Sequence, residues 1–306
     1  MPVVLVLSSR PLAGRTTAVV GLARAIRRAG ASVAAARLGD DETAARDARL
    51  YAALGLAPAG RSTPLTPEDV PALSRQGLVL LECPPGPAPA GWQEWGARAL
   101  TVARYPDLAP DEGHRALGEG FLGVLVTCVP RRRAEKVRRD LADSGLPVLG
   151  LIEEDRALAS PTLGQLAEAL GAQALFTTGR EETVLDKVFI SPISADPGQG
   201  YFARHRPTAV IVRSDKPDLQ LGALNAGIPC LIVTGNLPVL PYVLQRAEED
   251  SVPLLLTPLA TLEVAQRLDD LLGQVPLQGR EKAERATALV EEALSGAVLE
   301  GLLAAS

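Results

Sequence analysis

The apolar run Val3-Val4-Leu5-Val6-Leu7 passes without a break into Ser8-Ser9-Arg10-Pro11-Leu12-Ala13-Gly14-Arg15-Thr16-Thr17. An apolar run with no polar alternation predicts a strand buried on both faces, and small residues followed by hydroxyls predict a turn and a helix start. Helical spacing then places Val19, Leu22, Ile26 and Ala29 on one face, with Gly30 able to close the helix. Strand, turn and helix in this order form the frame of a phosphate-binding loop. In the pattern G-x-x-x-x-G-K-[ST], backbone N–H groups wrap the phosphates, a lysine reaches the terminal ones and a hydroxyl holds the metal. Here Ser9 stands where the first glycine belongs and Arg15 replaces the lysine. The frame is kept while its chemistry is altered.

The same rhythm continues along the chain. A weaker strand at 32–36, a helix at 41–54 and a loop at 60–71 come first. Apolar runs at Leu78–Leu81, Ala99–Ala103, Leu122–Val126 and Pro147–Ile152 then read as parallel strands covered on both faces, with the charged helix Arg131–Ser144 between the last two. These predict a doubly wound α/β domain over residues 1–178. After the polar junction Thr178-Gly179-Arg180-Glu181-Glu182, strands at Val188–Ser191, Ala209–Val212, Leu231–Thr234 and Leu254–Thr257 alternate with helices, predicting a smaller α/β domain over 183–275. Ala283, Ala286, Leu289, Val290, Ala293 and Leu294 give residues 279–306 the stripe of an amphipathic tail helix.

Composition removes several classes of function. A net charge of −5 lacks the basic field that nucleic acid or an anionic membrane surface requires, so neither is expected as a partner. No segment reaches the roughly 18 uncharged apolar residues of a membrane span. The strand begins at once, without the basic region of a signal peptide, so the chain is expected in the cytoplasm. Cys83, Cys128 and Cys230 are far apart and form no C-x-x-C pair, which predicts buried thiols rather than a disulfide framework or a zinc site. His114 and His205 have no neighbouring nucleophile pattern and read as structural.

The order of these segments is similar to a known family. Residues Ser8–Thr17, Leu78–Glu82, Val102-Ala103-Arg104-Tyr105, Gly123–Pro130 and Pro147–Arg156 resemble the dethiobiotin-synthetase-like, P-loop NTPase-type domain at the N-terminus of long bacterial phosphate acetyltransferases. Ser214–Leu224 and Cys230–Asn236 resemble the DRTGG domain that follows it there. The family's Asp-Arg and Thr-Gly-Gly stand here as Asp215-Lys216 and Thr234-Gly235-Asn236. The resemblance implies that an acetyl-transferring domain would lie beyond residue 306. It also implies a regulatory rather than catalytic role, with ATP and magnesium as a conditional cofactor pair.

Candidate site residues follow. Ser9, Gly14, Arg15, Thr16 and Thr17 would surround a phosphate, and the resemblance adds Arg37 at a lysine position and Thr127 at an adenine-contacting asparagine position. Against this stand a helix-start arginine paired with a carboxylate and simple capping by the threonines. Glu82, at a carboxyl strand end where parallel-sheet ligands gather, is the candidate for holding a metal-bound water. A solvated strand terminus is its default reading. If magnesium binds, Thr16, Asp41 and Glu82 would be its ligands, although acids near Asp41 also suit a helix N-terminus. Cys83-Pro84-Pro85-Gly86 after Glu82 removes backbone donors. In the second domain Asp215, Lys216, Asp218, Thr234, Gly235 and Asn236 read as a ligand site or a subunit contact. Three functions stay open: a regulatory protein binding a nucleotide or acidic metabolite and acting on a separately encoded enzyme; an ATP-dependent ligase or nucleotide hydrolase; and a dimerisation module. A homodimer is expected.

Overall fold

A computed structural model describes residues 3–73, 77–107, 117–143, 145–191, 195–296, 298, 300 and 301. His114 lies outside the described residues. The chain forms two compact units: residues through Asp155 with those from Lys282 onward, and Arg156–Glu281 between them.

The first unit holds a six-stranded parallel sheet built from β1 (Val3–Leu7), β2 (Val33–Arg37), β3 (Leu78–Glu82), β4 (Arg98–Arg104), β5 (Phe121–Val129) and β6 (Val148–Glu153), ordered β2-β3-β1-β4-β5-β6. Every residue of β1 is buried, as its unbroken apolar run requires of a central strand. Helices α1 (Arg15–Arg28) and α2 (Glu42–Ala53) follow β1 and β2, and α3 (Ala134–Asp143) joins β5 to β6. Because β2 and β3 lie on one side of β1 and β4 to β6 on the other, the loop after β1 sits at the topological switch point, where such sheets open a crevice.

The second unit holds β7 (Gln173–Leu175), β8 (Val188–Ile190), β9 (Ala209–Arg213), β10 (Leu231–Thr234) and β11 (Leu254–Thr257), ordered β7-β11-β10-β9-β8 with only β7 antiparallel. α4 (Leu163–Leu170) precedes β7, and α5 (Ala195–His205), α6 (Pro217–Asn225), α7 (Pro241–Glu249) and α8 (Thr261–Leu271) alternate with or follow the strands. One face of the sheet packs Phe202, Ala223, Val243 and Ala247, and the other packs Leu163, Leu166 and Val264. The parallel strands run in sequence order, so this sheet has no switch point of its own.

Two boundaries differ from the expected ones. The first unit ends at Asp155 rather than at 178, because β7 hydrogen-bonds along β11 and α4 covers the second sheet. The tail helix α9 (Arg280–Ala293) is no separate element: from Lys282 onward it belongs to the first unit. It lies so close to α1 that a Cβ at Gly21 would sit 2.3 Å from Val290 Cγ2 and 2.9 Å from the Ala286 carbonyl oxygen. Arg28 of α1 also grips Glu291 through both carboxylate oxygens at 2.9 and 2.7 Å.

Candidate functional site

The loop after β1 keeps the backbone of an anion cradle. Gly14 has φ +87°, a conformation that disfavours side chains, and a Cβ there would approach Thr127 Cγ2 to 3.2 Å. Among the described residues the N–H groups of Gly14, Arg15 and Thr16 have no acceptor, as at any free helix start.

The side chains are committed elsewhere. Arg15 folds beneath the loop with 9% of its side chain exposed, donates from Nη1 to Ser8 Oγ at 2.6 Å, and holds Nε 3.5 Å from Glu82 Oε1. Thr16 Oγ1 donates to Glu82 Oε1 at 3.2 Å. The second Glu82 oxygen accepts from the Tyr51 hydroxyl. Arg37 Nη1 donates to the Leu38 and Glu82 carbonyls, while its Nε lies 3.4 Å from Asp47 Oδ2 and 3.9 Å from Glu82 Oε1. Glu82, Arg37, Asp47 and Tyr51 are all buried. Glu82 is therefore the hub of a buried charge cluster, and the reading of a solvated strand terminus is corrected. A carboxylate at that depth persists only with partners, and two guanidiniums, a phenol and a hydroxyl supply them.

Burial first, and the nearby Arg37 charge after the pull of Glu82, lower the Arg15 guanidinium below its usual value. Burial and the Glu82 charge raise the Tyr51 phenol, and burial pushes the Cys83 thiol up to about 12. Burial, then the Glu82 charge, raise the Asp47 carboxyl from 3.8 to about 6. Folded chains thus hold this proton more tightly than unfolded ones. The Asp47 contribution to stability falls as pH rises from about 4 to 6, and above 6 the full cost of an ionised buried Asp47 is present. Asp47→Asn is expected to raise unfolding free energy by on the order of 2–3 kcal/mol near neutral pH and by almost nothing near pH 4, a difference that denaturation at the two pH values measures.

Three further contacts tie the loop across the crevice. Thr127 Oγ1, from β5, donates to the Ala13 carbonyl at 2.7 Å. Arg104 Nη1, at the end of β4, donates to the Leu12 carbonyl at 3.0 Å, and Arg10 pairs with Asp107. Thr127 therefore braces the loop in this state, where a base contact was expected. Arg37 likewise neutralises carboxylates rather than reaching the loop. Asp41 caps α2 by accepting from the Ala44 N–H at 2.6 Å. Ser9 is exposed, and Thr17 is half-buried at the helix start. Thr16 Oγ1 donates its hydrogen to Glu82 and keeps its lone pairs, and no group of three or more His, Cys, Asp or Glu among the described residues is arranged to hold a metal.

Ser8, Asp47, Tyr51 and Arg104 were not among the expected residues. Asp47 and Tyr51 had one signal: they stand four apart on α2, on the face that also buries Ala44 and Ala48.

In the second unit the two expected strand ends do meet, since the Ser214 N–H donates to the Thr234 carbonyl at 2.7 Å. Arg213 grips Asp215 through two bonds of 2.9 and 2.5 Å. Gly235 has φ +98°, and a Cβ there would meet Ser214 Oγ at 2.9 Å. Thr234 Oγ1 and Thr261 Oγ1 are 2.8 Å apart, and Gln220 Nε2 donates to the Arg213 carbonyl at 2.8 Å. Lys216 is the N-cap of α6, just ahead of Pro217; Lys216, Asp218 and Asn236 are exposed. Ser214, Gln220 and Thr261, absent from the expected set, hold this turn together. His205 lies against Tyr201 with ring centroids 4.4 Å apart and ring planes tilted by 43°.

Residues 165–271 match the family model of the DRTGG domain. This segment resembles the DRTGG domain. Over 174 residues, 54% of its length, the chain is 27% identical to the phosphate acetyltransferase of Acinetobacter baylyi. It spans about a quarter (24%) of that relative's length. Solved structures with partial similarity include the CBS and DRTGG domains of the regulatory region of Clostridium perfringens pyrophosphatase complexed with diadenosine tetraphosphate, at 15% identity and TM-score 0.32, covering 48% of this chain and 72% of that one. They also include the Aquifex aeolicus cell division protein MinD, in complex with MinC (16% identity, TM-score 0.39, 52% and 83% coverage) and by itself (16%, 0.35, 52% and 84%). Asp215 to Asn236 lie inside the DRTGG domain, and the altered loop lies outside it.

Proposed function

We propose that this chain is a non-catalytic regulatory module that binds a small ligand and acts on a separately encoded enzyme. The observation that carries the reading is the burial of Arg15 against Ser8 and Glu82. Phosphoryl transfer needs a mobile cation on the transferring group, and here Arg15 is buried against Ser8 and an internal carboxylate. The likeness to part of a phosphate acetyltransferase and the DRTGG domain support a regulatory role. In this proposal the ligand is a nucleotide or acidic metabolite held at the DRTGG strand ends, with Lys216 and Asn236 facing it, and the working form is a cytoplasmic homodimer. Purified chain incubated with magnesium and ATP is expected to release no phosphate above background. Turnover that disappears in Arg15→Ala would overturn the non-catalytic reading in favour of a ligase or hydrolase. In a thermal-melt screen of nucleotides and acidic metabolites, at least one compound is expected to raise the wild-type melting temperature and to lose that effect in Lys216→Ala. A flat screen would remove the ligand-binding part.

A further inference from the structure

β8 is one edge of the second sheet, paired only with β9. The Ala209 N–H donates to the Lys187 carbonyl and the Ser191 N–H to the Ile211 carbonyl, so Lys187, Phe189 and Ser191 turn their peptide groups toward β9, and Val188 and Ile190 turn theirs outward. Those outward N–H and carbonyl groups have no partner among the described residues. A free edge is usually blunted by a charge, a proline or a bulge. β8 has only three residues, but Val188-Phe189-Ile190 carries none of these devices and pairs with β9 in unbroken register. Two exposed large side chains border the edge, Ile190 at 55% and Tyr201 at 45%. Side-chain alternation puts Ile190 with Val188 on the face packed by Leu163 and Val264, and Phe189 on the opposite face. There the centroid of the Phe189 ring lies 5.6 Å from that of Tyr201 and 5.9 Å from that of His205.

We propose that β8 pairs antiparallel with β8 of a second copy of this chain, about a two-fold axis at Phe189, joining the two five-stranded sheets edge to edge. In this register Val188 exchanges a pair of hydrogen bonds with Ile190 of the partner subunit, and Ile190 does the same with Val188 of the partner subunit, so every outward group of the strand is satisfied. The register also sets Ile190 beside Val188 of the partner subunit on one face. On the other face it sets Phe189 beside Phe189 of the partner subunit, next to Tyr201. The unpaired backbone groups and the exposed side chains are thus the ones that two-fold pairing covers, and a second copy is the occupant that does both. A peptide from another protein would satisfy the same backbone groups, but it would lose backbone freedom that a strand fixed in a sheet has already given up. This contact rests on the homodimer of the reading above, and is independent of the ligand and of the lack of catalysis.

Light scattering on the full chain during size-exclusion chromatography tests it. The wild type is expected at twice the 32.0 kDa chain mass. Ile190→Lys, a change at an exposed side chain, is expected to keep the wild-type circular dichroism spectrum and to raise the concentration for half-dimerisation at least tenfold. A second arm uses a Cys128→Ser background, which leaves only the buried Cys83 and Cys230. There Phe189→Cys is expected to give a disulfide-linked dimer on mild oxidation, because directly opposed residues of this kind stand roughly 4.5 Å apart between Cα atoms, within disulfide reach. Val188→Cys, whose two copies are offset along the strands, is expected to give none. A dimeric wild type whose assembly a folded Ile190→Lys leaves intact, or any cysteine result other than linkage of Phe189→Cys alone, would overturn the edge contact while leaving the homodimer standing. A wild type that stays monomeric would overturn both and leave β8 to a strand from another protein.

Discussion

Glu82→Leu is expected to destabilise the first unit by about 3–5 kcal/mol, the usual result of removing one partner from a buried ion cluster. The replacement is close in volume and puts an apolar group among apolar strands, so packing alone would favour it. What it removes is the shared acceptor of Arg15, Thr16, Tyr51 and Arg37. Arg15 would then keep only Ser8, and Arg37 only Asp47 and two backbone carbonyls, in a buried site, and a Tyr51 hydroxyl with no acceptor adds its own desolvation cost. Both tryptophans, Trp92 and Trp95, belong to the first unit, so their fluorescence during urea unfolding reports on that unit alone. A matched surface control, Arg28→Ala, breaks an exposed pair with Glu291 and is expected to cost roughly 1 kcal/mol or less. Equal losses in the two variants would show that the cluster is no more demanding than a solvated pair.

The second large effect concerns Gly21. Glycine to alanine inside a helix ordinarily stabilises by about 1 kcal/mol. Here the added methyl would lie 2.3 Å from a Val290 methyl and 2.9 Å from the backbone oxygen of Ala286, so α9 must move. Gly21→Ala is expected to reverse the usual sign and destabilise by about 1–3 kcal/mol, the range for overpacking. Adding Val290→Ala removes the collision with the Val290 methyl but leaves those with Val290 Cβ at 2.7 Å and the Ala286 oxygen, and should restore only part of the loss. Chemical denaturation of the two variants, again read at the tryptophans, measures both steps. A gain in stability for Gly21→Ala would refute the close packing of α1 and α9.

The strands were legible because each parallel strand buried on both faces is an uninterrupted apolar run, and that pattern has few other causes. Leu78–Leu81 and Leu231–Thr234 illustrate it. The burial of Glu82 was not legible, because residue type alone argues for exposure and its partners are scattered over Arg15, Arg37 and Tyr51, far apart in the chain. Arg15 itself was read as two alternatives, and pairing with a carboxylate is the one in place. The boundary near 178 was misplaced since Leu163–Leu170 is amphipathic on either assignment; only the antiparallel pairing of β7 with β11 decides which sheet it covers. Gly21 carried no signal, because a glycine in a helix reads as a weakness until its neighbour is known.

The return of α9 to the first unit also makes the DRTGG segment an insertion rather than an appendage, entered at Arg156 and left at Glu281 with the same body on both sides. Cutting the gene at the junction after Asp155 would therefore not yield the first unit. It would yield one stripped of the helix that covers Gly21, with Val290 and Ala286 missing from its surface. An excision that leaves both parts of the first unit in the chain runs the other way, from Arg156 through Glu281.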